Sequence, residues 1–432
     1  MSNQIIGLIG CFAVVALVLL RIPVGFTLAI VGFIGYCAIN GVSHALLKIG
    51  EMPLEIINYD LIVLPLFVLM GSVCLKSGMS RDVFAVANAA FAGRRGSLAL
   101  ASVGASAAFG AVSGSSLATV STVAKVTVPE MRRAGYSMML AGGSVASAST
   151  LAVLIPPSVI LVIYALMSEQ SLGKLYAAAL LPGLLLVVLY VIIVAGWVML
   201  QPDAAPRGPR EPLRTRLYNL TKIWKIALLF GGAIGGMYAG WFSPTEGAAM
   251  GAAGAVVIGF ATRSLGIRGL IDATVETVQT SAALFFIVIG AMLFAYFIVQ
   301  AGLPTAFVDA TKYFELKPWQ VMGAIIVFYI IAGCFLDSIG MILMSVPIFL
   351  PVIISLGYDP VWFGILLVVL VEIGLITPPV GMNCYVLRTQ IPDIPIGTIF
   401  LGVAPFLLAN LALIAILLMF PQVALWLPSA LF

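Results

Sequence analysis

The amino-acid sequence predicts an all-α polytopic membrane protein that consists of two inverted-topology repeats. Three observations predict this fold class. The composition is 62% hydrophobic and only 9% charged, whereas ordinary soluble domains contain roughly 25% charged residues. Several apolar runs approach the roughly 20 residues that cross a bilayer as a helix. The third observation is that one set of motifs occurs twice along the chain at a constant spacing.

The duplicated motifs lie in the two halves of the chain. Ser115-Ser116 in the first half corresponds to Asp337-Ser338 in the second. Pro156-Pro157 corresponds in the same way to Pro378-Pro379. Both pairs are separated by 222 positions (337 minus 115, and 378 minus 156). A constant register over this length indicates an internal duplication. In transporters, matching Gly- or Pro-interrupted apolar segments in both halves are the best sequence pointer to the binding site.

The first repeat is predicted to occupy residues 1–200. Residues 97–131 are too long for one crossing and are interrupted at Ser113-Gly114-Ser115-Ser116, so they predict a re-entrant helical hairpin. Residues 137–167 contain Pro156-Pro157 and predict a broken transmembrane helix, because proline removes a backbone donor. Residues 77–91 predict a short amphipathic helix at the membrane interface. The other apolar segments of this half are predicted as scaffold helices near 4–20, 24–40, 58–76 and 176–200.

A basic linker over residues 201–222 joins the repeats, and the second repeat is predicted over residues 223–432. It repeats the plan of the first, with a re-entrant hairpin over 318–357, interrupted at Asp337, and a broken helix over 360–388. Its remaining segments are predicted as an interfacial helix near 302–314 and scaffold helices near 223–241, 245–262, 277–300 and 397–420.

Charged residues at the hairpin ends predict how each hairpin faces the membrane. Arg94-Arg95 and Arg132-Arg133 flank the first hairpin on both sides, so both of its ends are expected in the cytoplasm by the positive-inside rule. The second hairpin is flanked by a mixed set without arginine, namely Lys312, Glu315, Lys317 and Asp359. The two hairpins are therefore expected to open to opposite faces, as an inverted duplication requires. The same rule places the basic linker in the cytoplasm.

Composition and motifs disfavour several other functional classes. Five cysteines are scattered without a Cys-x-x-Cys pair, and there is a single histidine, His44, so zinc and haem sites lack ligands. The chain has no phosphate-binding loop for ATP. The net charge of +4 is read as an orientation signal and not as a sign of nucleic-acid binding. An intramembrane protease is a remote alternative, because Asp337 lacks a Gly-x-Gly-Asp context and His44 lies in a predicted external loop.

The interrupted tip of the first hairpin predicts an ion and solute site. A tip at mid-membrane frees carbonyl groups at the end of one half-helix and N–H groups at the start of the next. The carbonyls and hydroxyls suit sodium, and the N–H groups suit an anion. The predicted sodium ligands here are Ser113, Gly114, Ser115 and, from the first proline break, Leu154. Small residues that merely pack two helices are the alternative interpretation.

The tip of the second hairpin contains a carboxylate, Asp337. A carboxylate within an apolar run costs roughly 2.5–3.5 kcal/mol on insertion scales and normally faces a cavity or a partner. We expect Asp337 to bind sodium directly or to orient the loop that does. The accompanying sodium ligands are predicted to be Gly333, Gly340 and Thr377. Glu372 and Glu246 are weaker candidates of the same kind, since either could cap a helix or pair with a basic residue.

The paired prolines are expected to unwind both broken helices and to leave carbonyl groups unpaired opposite the hairpin tips. The solute would then lie between the two ion sites. The predicted solute-binding residues are Ser115, Ser116, Pro157, Ser158, Thr377 and Asn383. No catalytic residue is predicted. A plain proline kink in each helix is the alternative interpretation.

Four motifs make this chain resemble the large membrane subunit of tripartite ATP-independent periplasmic (TRAP) transporters. They are GAVSGSSLATV (residues 110–120), LIPPS (154–158), GCFLD (333–337) and GLITPPVGMN (374–383). Residues 21–26 and 242–249 also look like that family. The resemblance covers nearly the whole chain, and the first and last motifs are quite specific in combination.

The resemblance implies a bacterial inner-membrane protein for the uptake of small organic acids. Such subunits work with a small four-helix membrane subunit and with a periplasmic binding protein that delivers the solute. Uptake in this family is driven by a sodium gradient, without ATP or a redox cofactor. The part that contains both hairpins is thought to move like an elevator against a scaffold. A stand-alone sodium/dicarboxylate symporter, which needs no binding protein, is the alternative reading.

Overall fold

The computed structural model describes residues 2–56, 59–208 and 212–432. Residues 57–58 and 209–211, which include the start of the segment near 58–76 and part of the basic linker, lie outside the described residues. Every regular element in the described ranges is helical, apart from an isolated bridge between Arg95 and Arg207. The prediction of an all-α protein is therefore confirmed.

The first half contains the elements that the sequence predicts, together with a helix that it does not. In chain order the helices are α1 (Asn3–Leu19), α2 (Val24–Asn40), α3 (Val42–Ile56), α4 (Val63–Lys76), α5 (Met79–Phe91), α6 (Ser97–Ser113), α7 (Ser116–Arg133), α8 (Met138–Ala148), α9 (Leu151–Leu154), α10 (Val159–Ser168) and α11 (Leu172–Leu200). Helix α3 is the unpredicted one. Its mixture of charged and apolar residues hides it from a search for apolar runs.

The helices from α12 onward form the second half, and α12 lies at the end of the predicted linker. Its helices are α12 (Leu213–Thr221), α13 (Trp224–Tyr238), α14 (Pro244–Ala261), α15 (Ile267–Gln300), α16 (Leu303–Tyr313), α17 (Pro318–Gly333), α18 (Ser338–Ser355), α19 (Pro360–Gly374), α20 (Met382–Gln390), α21 (Ile396–Met419) and α22 (Gln422–Leu431). Helix α12 lies within the segment predicted as a linker. It packs on α5, where Arg216 Nη2 donates to the carbonyl oxygen of Ala90 at 3.1 Å.

Both predicted hairpins consist of two helices with a break at the polar midpoint. Helices α6 and α17 are 17 and 16 residues long, shorter than the roughly 20 residues that cross a bilayer. Helices α7 and α18 begin at Ser116 and Ser338 and end at Arg133 and Ser355, so the same spacing of 222 (338 minus 116) relates both ends. The inversion of one half relative to the other stays a prediction.

Both predicted broken helices are interrupted at their paired prolines. The first helix bends by 42° between α9 and α10, and the second is interrupted between α19 and α20. Each interruption contains a cis peptide bond, between Pro156 and Pro157 and between Pro378 and Pro379. Proline cannot donate to the preceding turn of a helix, so both helices end before their proline pair.

Glycines allow the long helices to pack at short range. A Cβ atom on Gly290 of α15 would lie 2.4 Å from the carbonyl oxygen of Gly25 on α2. A Cβ atom on Gly143 of α8 would lie 2.1 Å from the carbonyl oxygen of Gly402 on α21. Small residues at such crossings let helix backbones approach closely inside a membrane. Helices α2, α4 and α15 therefore form one packed group, and α8, α11 and α21 form another.

Several helices have the length and composition of membrane spans. Within the described ranges five single helices satisfy both criteria, and the total is seven if each of two bent helix pairs is taken as one span. One of those pairs consists of α4 and α5, which meet at 72°. That bend turns α5 away from the direction of α4. The predicted helix over residues 77–91 is confirmed, and its position at the membrane interface stays a prediction.

Candidate functional site

The tip of the first hairpin is a two-residue turn with a neutral helix cap. Gly114 has a φ of +61°, a conformation that glycine adopts without steric cost. Ser115 is extended, and its Oγ accepts a hydrogen bond from the N–H of Ala118 at 3.4 Å. Ser113 Oγ lies 2.9 Å from Thr119 Oγ1, which links the two sides of the turn. The turn therefore begins α7 with an uncharged hydroxyl cap.

This tip packs tightly against the first broken helix. A Cβ atom on Gly110 would lie 2.2 Å from Cα of Ala152, and one on Gly114 would lie 3.1 Å from the carbonyl oxygen of Pro157. Ser113, Gly114 and Pro157 also border a small cavity of about 10 Å³, which is about the space that one water molecule or a small ion needs. A predicted site residue of the break is thus placed beside the predicted residues of the tip.

The tip of the second hairpin is capped by a carboxylate. Asp337 Oδ2 accepts a hydrogen bond from the N–H of Gly340 at 3.1 Å, so Asp337 is the N-cap of α18. A Cβ atom on Gly340 would lie 2.8 Å from Asp337 Oδ1 and 2.6 Å from a methyl group of Val24 on α2. Gly340 therefore allows the capped end of α18 to approach α2. Both tips begin their second helix with a capping side chain, but the caps differ in charge, and the second tip has four residues between its helices where the first has two.

The second hairpin contacts its own broken helix through glycines. A Cβ atom on Gly374 would lie 2.4 Å from the carbonyl oxygen of Gly333. Thr377, which follows the contact, turns its hydroxyl back to donate to the carbonyl oxygen of Ile373 at 2.7 Å. The N–H of Asn383 donates to the carbonyl oxygen of Leu375 at 2.9 Å. These bonds satisfy part of the backbone that the proline pair interrupts.

A central cavity of about 310 Å³ lies between the two hairpin tips and helices α4 and α15. Cavities of roughly 300–1,000 Å³ commonly hold small ligands. Five of the residues predicted for the site line it: Ser113, Gly114, Ser115, Ser116 and Asp337. The scaffold side contributes residues such as Ser72 from α4 and Thr280 from α15. The cavity therefore joins the tips from both halves of the chain.

Seven of the predicted site residues do not line this cavity in the structure: Leu154, Pro157, Ser158, Gly333, Gly340, Thr377 and Asn383. Ser158 is buried as the N-cap of α10, and its Oγ accepts from the N–H of Leu161 at 3.3 Å. Asn383 is buried and donates its side-chain amide to the carbonyl oxygen of Ala146 at 3.4 Å. The carbonyl oxygen of Leu154 faces Gly183 of α11. The polar groups of Ser158, Asn383 and Leu154 thus face other parts of the fold.

Glu372, which the sequence ranks below Asp337, is the most deeply buried carboxylate of the cavity. It belongs to α19 and is 3% exposed. Ser116 Oγ donates a hydrogen bond to Glu372 Oε2, and Glu372 Oε1 has no hydrogen-bond partner. Its signal in the sequence is a lone carboxylate in an apolar run, which in a membrane protein is a functional candidate by default. The other weak candidate, Glu246, is an exposed member of a capping box with Ser243.

The electrostatic character of the cavity is acidic. Its lining includes Glu276, Asp337 and Glu372, and among the described residues that line it there is no lysine, arginine or histidine. Glu276 lies at the exposed end, where Oε2 is 3.4 Å from Nζ of Lys76. The described residues contain no group of three His, Cys, Asp or Glu side chains suited to a metal ion. Ligands for a cation must therefore include hydroxyl or backbone oxygens.

The sequence matches the family described as "Tripartite ATP-independent periplasmic transporter, DctM component" over residues 11–423. The chain is 36% identical to the C4-dicarboxylate TRAP transporter large permease protein DctM of Pseudomonas aeruginosa, over 86% of this chain and 87% of that protein. It is 32% identical to the sialic acid TRAP transporter large permease protein SiaM of Vibrio cholerae, over 97% of both. It is also 32% identical to the ectoine TRAP transporter large permease protein TeaC of Halomonas elongata, over 96% of both.

Solved structures resemble this chain in fold. The YdaH transporter of Alcanivorax borkumensis has a TM-score of 0.60 at 14% identity, with 100% of this chain and 99% of that chain covered. MtrF of Neisseria gonorrhoeae has a TM-score of 0.51 at 14% identity, with 88% of this chain and 85% of that chain covered. At this identity the likeness concerns the fold alone.

Proposed function

This chain belongs to the tripartite ATP-independent periplasmic transporters, as their DctM component. We propose that it carries a small organic acid across the bacterial inner membrane, with a sodium gradient as the driving force. The family and the apolar helices make it a multi-pass inner-membrane protein. One observation carries the proposal, namely the cavity that both hairpin tips share. Its volume suits a small acid, and its wall contains the ends of two helices.

The first hairpin is the proposed binding site for the acid group of the solute. Helix α7 begins at Ser116, with a neutral cap at Ser115. The N–H groups in the first turn of a helix carry partial positive charge and bind anions. Helix α18 already has a carboxylate at the same position, Asp337. The asymmetry favours a solute carboxylate at α7 and a cation at α18.

The solute class follows from the same lining. A carboxylate-bearing or zwitterionic molecule is compatible with a site in which backbone N–H ends are the positive groups among the described lining residues. The relatives are named for C4-dicarboxylates, sialic acid and ectoine, which all contain a carboxylate. The lining alone does not select among them, so all three are suitable probes.

Sodium is proposed to bind at both tips. The cavity of about 10 Å³ beside Ser113, Gly114 and Pro157 is the proposed first site; Ser115 follows Gly114 in the tip, and the carbonyl of Leu154 would have to turn from Gly183 to join it. The second site is proposed at Asp337, with backbone oxygens around Gly333, Gly340 and Thr377. Unwound backbone and helix C-terminal ends bind sodium in broken-helix transporters. Ser158 and Asn383 are proposed to support the solute site from behind the break.

We propose two protein partners, a periplasmic binding protein and a small four-helix membrane subunit. The name of the family describes a transporter of three parts, and this chain is one of them. Its outer helices leave apolar side chains such as Phe12, Ile34 and Val257 exposed, which suits lipid and a membrane partner. The hairpins and broken helices are proposed to move together past α2, α4 and α15, as an elevator.

Uptake by reconstituted protein tests this proposal. Vesicles that contain this chain and its small subunit should accumulate a C4-dicarboxylate, sialic acid or ectoine when sodium is higher outside and a loaded binding protein is added. Collapse of the sodium gradient should abolish accumulation. Uptake that proceeds equally well without any binding protein would replace the proposal with a stand-alone symporter.

The sodium part of the proposal can be measured without a known solute. A ligand that binds only the folded state raises its stability by mass action. The thermal unfolding midpoint of the purified complex should therefore be higher in sodium chloride than in potassium or choline chloride at equal ionic strength. Asp337→Asn should reduce the difference, since asparagine keeps the cap of α18 but removes the charge. Equal midpoints in the three salts would contradict sodium coupling.

A further inference from the structure

We infer that Glu372, Ser116 and Ser338 form an additional sodium site at the point where the two hairpins meet. This inference deepens the proposed sodium coupling and rests on it. It concerns a carboxylate that belongs to neither hairpin, because Glu372 lies on α19. The site would bind one ion between the starts of α7 and α18.

The geometry brings three side-chain oxygens from three helices to one place. Ser116 and Ser338 are the first residues of α7 and α18, and both are buried. Ser116 donates a hydrogen bond to Glu372 Oε2. Ser338 lies close to the same carboxylate. Glu372 Oε1 and Ser338 Oγ are two buried oxygens without a partner.

Unpartnered buried oxygens require an explanation. Burial of a polar atom without a hydrogen bond is costly, and burial of a charge is more so unless the charge is paired. A cation between Glu372 Oε1 and Ser338 Oγ would give both oxygens a partner.

A count of charges supports one monovalent cation. Each helix N-terminus is equivalent to roughly +0.5 elementary charge, so α7 and α18 together supply about +1. Two carboxylates face these ends, Asp337 as the cap of α18 and Glu372 as the partner of Ser116. With both carboxylates ionised, about one negative charge remains, and no described basic side chain lines the cavity. A bound sodium ion would neutralise it.

The proposed site predicts the order in which sodium and the solute bind. An organic acid that enters an acidic cavity is repelled until the carboxylates are neutralised. A cation at Glu372 removes that repulsion at the N-terminus of α7, where the solute carboxylate is proposed to bind. Because the ligands come from both halves of the chain, the ion also joins the two hairpin tips. Sodium is therefore expected to bind before the solute.

The experiment counts sodium ions through protein stability in the absence of solute. The stabilisation of the complex by sodium chloride, with choline chloride to keep the ionic strength constant, grows with the logarithm of the sodium concentration in proportion to the number of bound ions. Glu372→Gln should lower this slope by about one ion. Ser338→Ala should shift the response to severalfold higher sodium concentrations.

Glu246→Gln is the matched control, because Glu246 is an exposed carboxylate in the capping box of α14 and does not line the cavity. It should keep the wild-type slope. If Glu372→Gln does not yield folded protein, Ser338→Ala decides the question. A wild-type dependence of stability on sodium concentration in both variants would overturn the site. A change in the pH dependence of stability alone in Glu372→Gln would overturn it as well. Because no solute is present, a failure of uptake would count against the proposed function and leave this result intact.

Discussion

Gly374 of α19 lies against Gly333 of α17 so closely that a Cβ atom on Gly374 would be 2.4 Å from the carbonyl oxygen of Gly333. The first hairpin makes the corresponding contact between Gly110 and Ala152. In both halves, the first helix of the hairpin, α6 or α17, thus contacts the segment before a proline pair at backbone distance. The hairpin and the broken helix of each half are consequently held as one unit.

Gly374→Ala is expected to destabilise the protein. The added methyl group would displace the backbone of α17, and overpacking of this kind costs roughly 1–3 kcal/mol. The thermal midpoint of the purified complex should therefore fall. Gly323→Ala is the matched control, because Gly323 lies on α17 with nothing within 4 Å of an added Cβ atom. A fall of the same size in Gly323→Ala would contradict the role of the contact.

Ser115→Ala is expected to reduce uptake severely and to leave membrane insertion intact. The substitution removes the cap of α7, worth about 1 kcal/mol, and a hydroxyl from the cavity. We expect uptake to fall at least about tenfold, which corresponds to roughly 1.4 kcal/mol. Ser243→Ala removes the equivalent cap of α14, which does not line the cavity, and should transport nearly normally. Similar uptake by the two variants would show that Ser115 acts through helix stability alone.

Tyr190→Phe is expected to destabilise the fold. Tyr190 is fully buried on α11, and its hydroxyl lies 2.8 Å from Nδ2 of Asn410 and 3.1 Å from Oγ1 of Thr150. Loss of a partner from a buried polar group costs roughly 1–3 kcal/mol. Tyr238→Phe is the control, since the buried hydroxyl of Tyr238 has no partner. We predict a lower thermal midpoint for Tyr190→Phe only. Equal midpoints would be inconsistent with a stabilising network.

The ion pair between Asp82 and Lys225 is expected to be stronger than that between Arg132 and Asp393. The first pair is 2.7 Å long, with side chains 22% and 18% exposed. The second is 2.8 Å long, with side chains 44% and 70% exposed. Exposed pairs contribute about 0–1 kcal/mol. A double-mutant cycle on each pair should give the larger coupling for Asp82 and Lys225, which join α5 to α13. The reverse order would contradict this ranking.

Both hairpins could be predicted because their signals are local. The polar interruptions at Ser113–Ser116 and at Asp337 lie within long apolar runs, and the structure ends α6 and α17 near them. Proline pairs are equally local, since proline ends a helix wherever it lies. Helix α3 could not be found in this way, because its charged residues, such as Lys48 and Glu51, mask it in a search for apolar segments.

The candidate site was predicted less completely than the fold. The sequence ranks Glu372 below Asp337 because a lone glutamate could equally cap a helix or pair with a basic residue. Its hydrogen bond to Ser116 spans 256 positions of the chain, which no local pattern reveals. Glu246 has the same rank in the sequence, although Ser243 and Glu246 have the spacing of a capping box. The structure assigns Glu246 to a helix start and Glu372 to the cavity.

The sequence by itself determined that this protein is helical, crosses a membrane and contains two interrupted hairpins and two proline breaks. Composition, glycine and proline act on the backbone within a few residues, so their effects can be read along the chain. Only the tertiary structure decided which polar groups share a cavity. It places Ser115, Ser116 and Asp337 in the lining of one cavity and leaves Ser158 and Asn383 outside that lining. The reason is that helix packing, and not spacing in the chain, sets the distances between side chains of different helices.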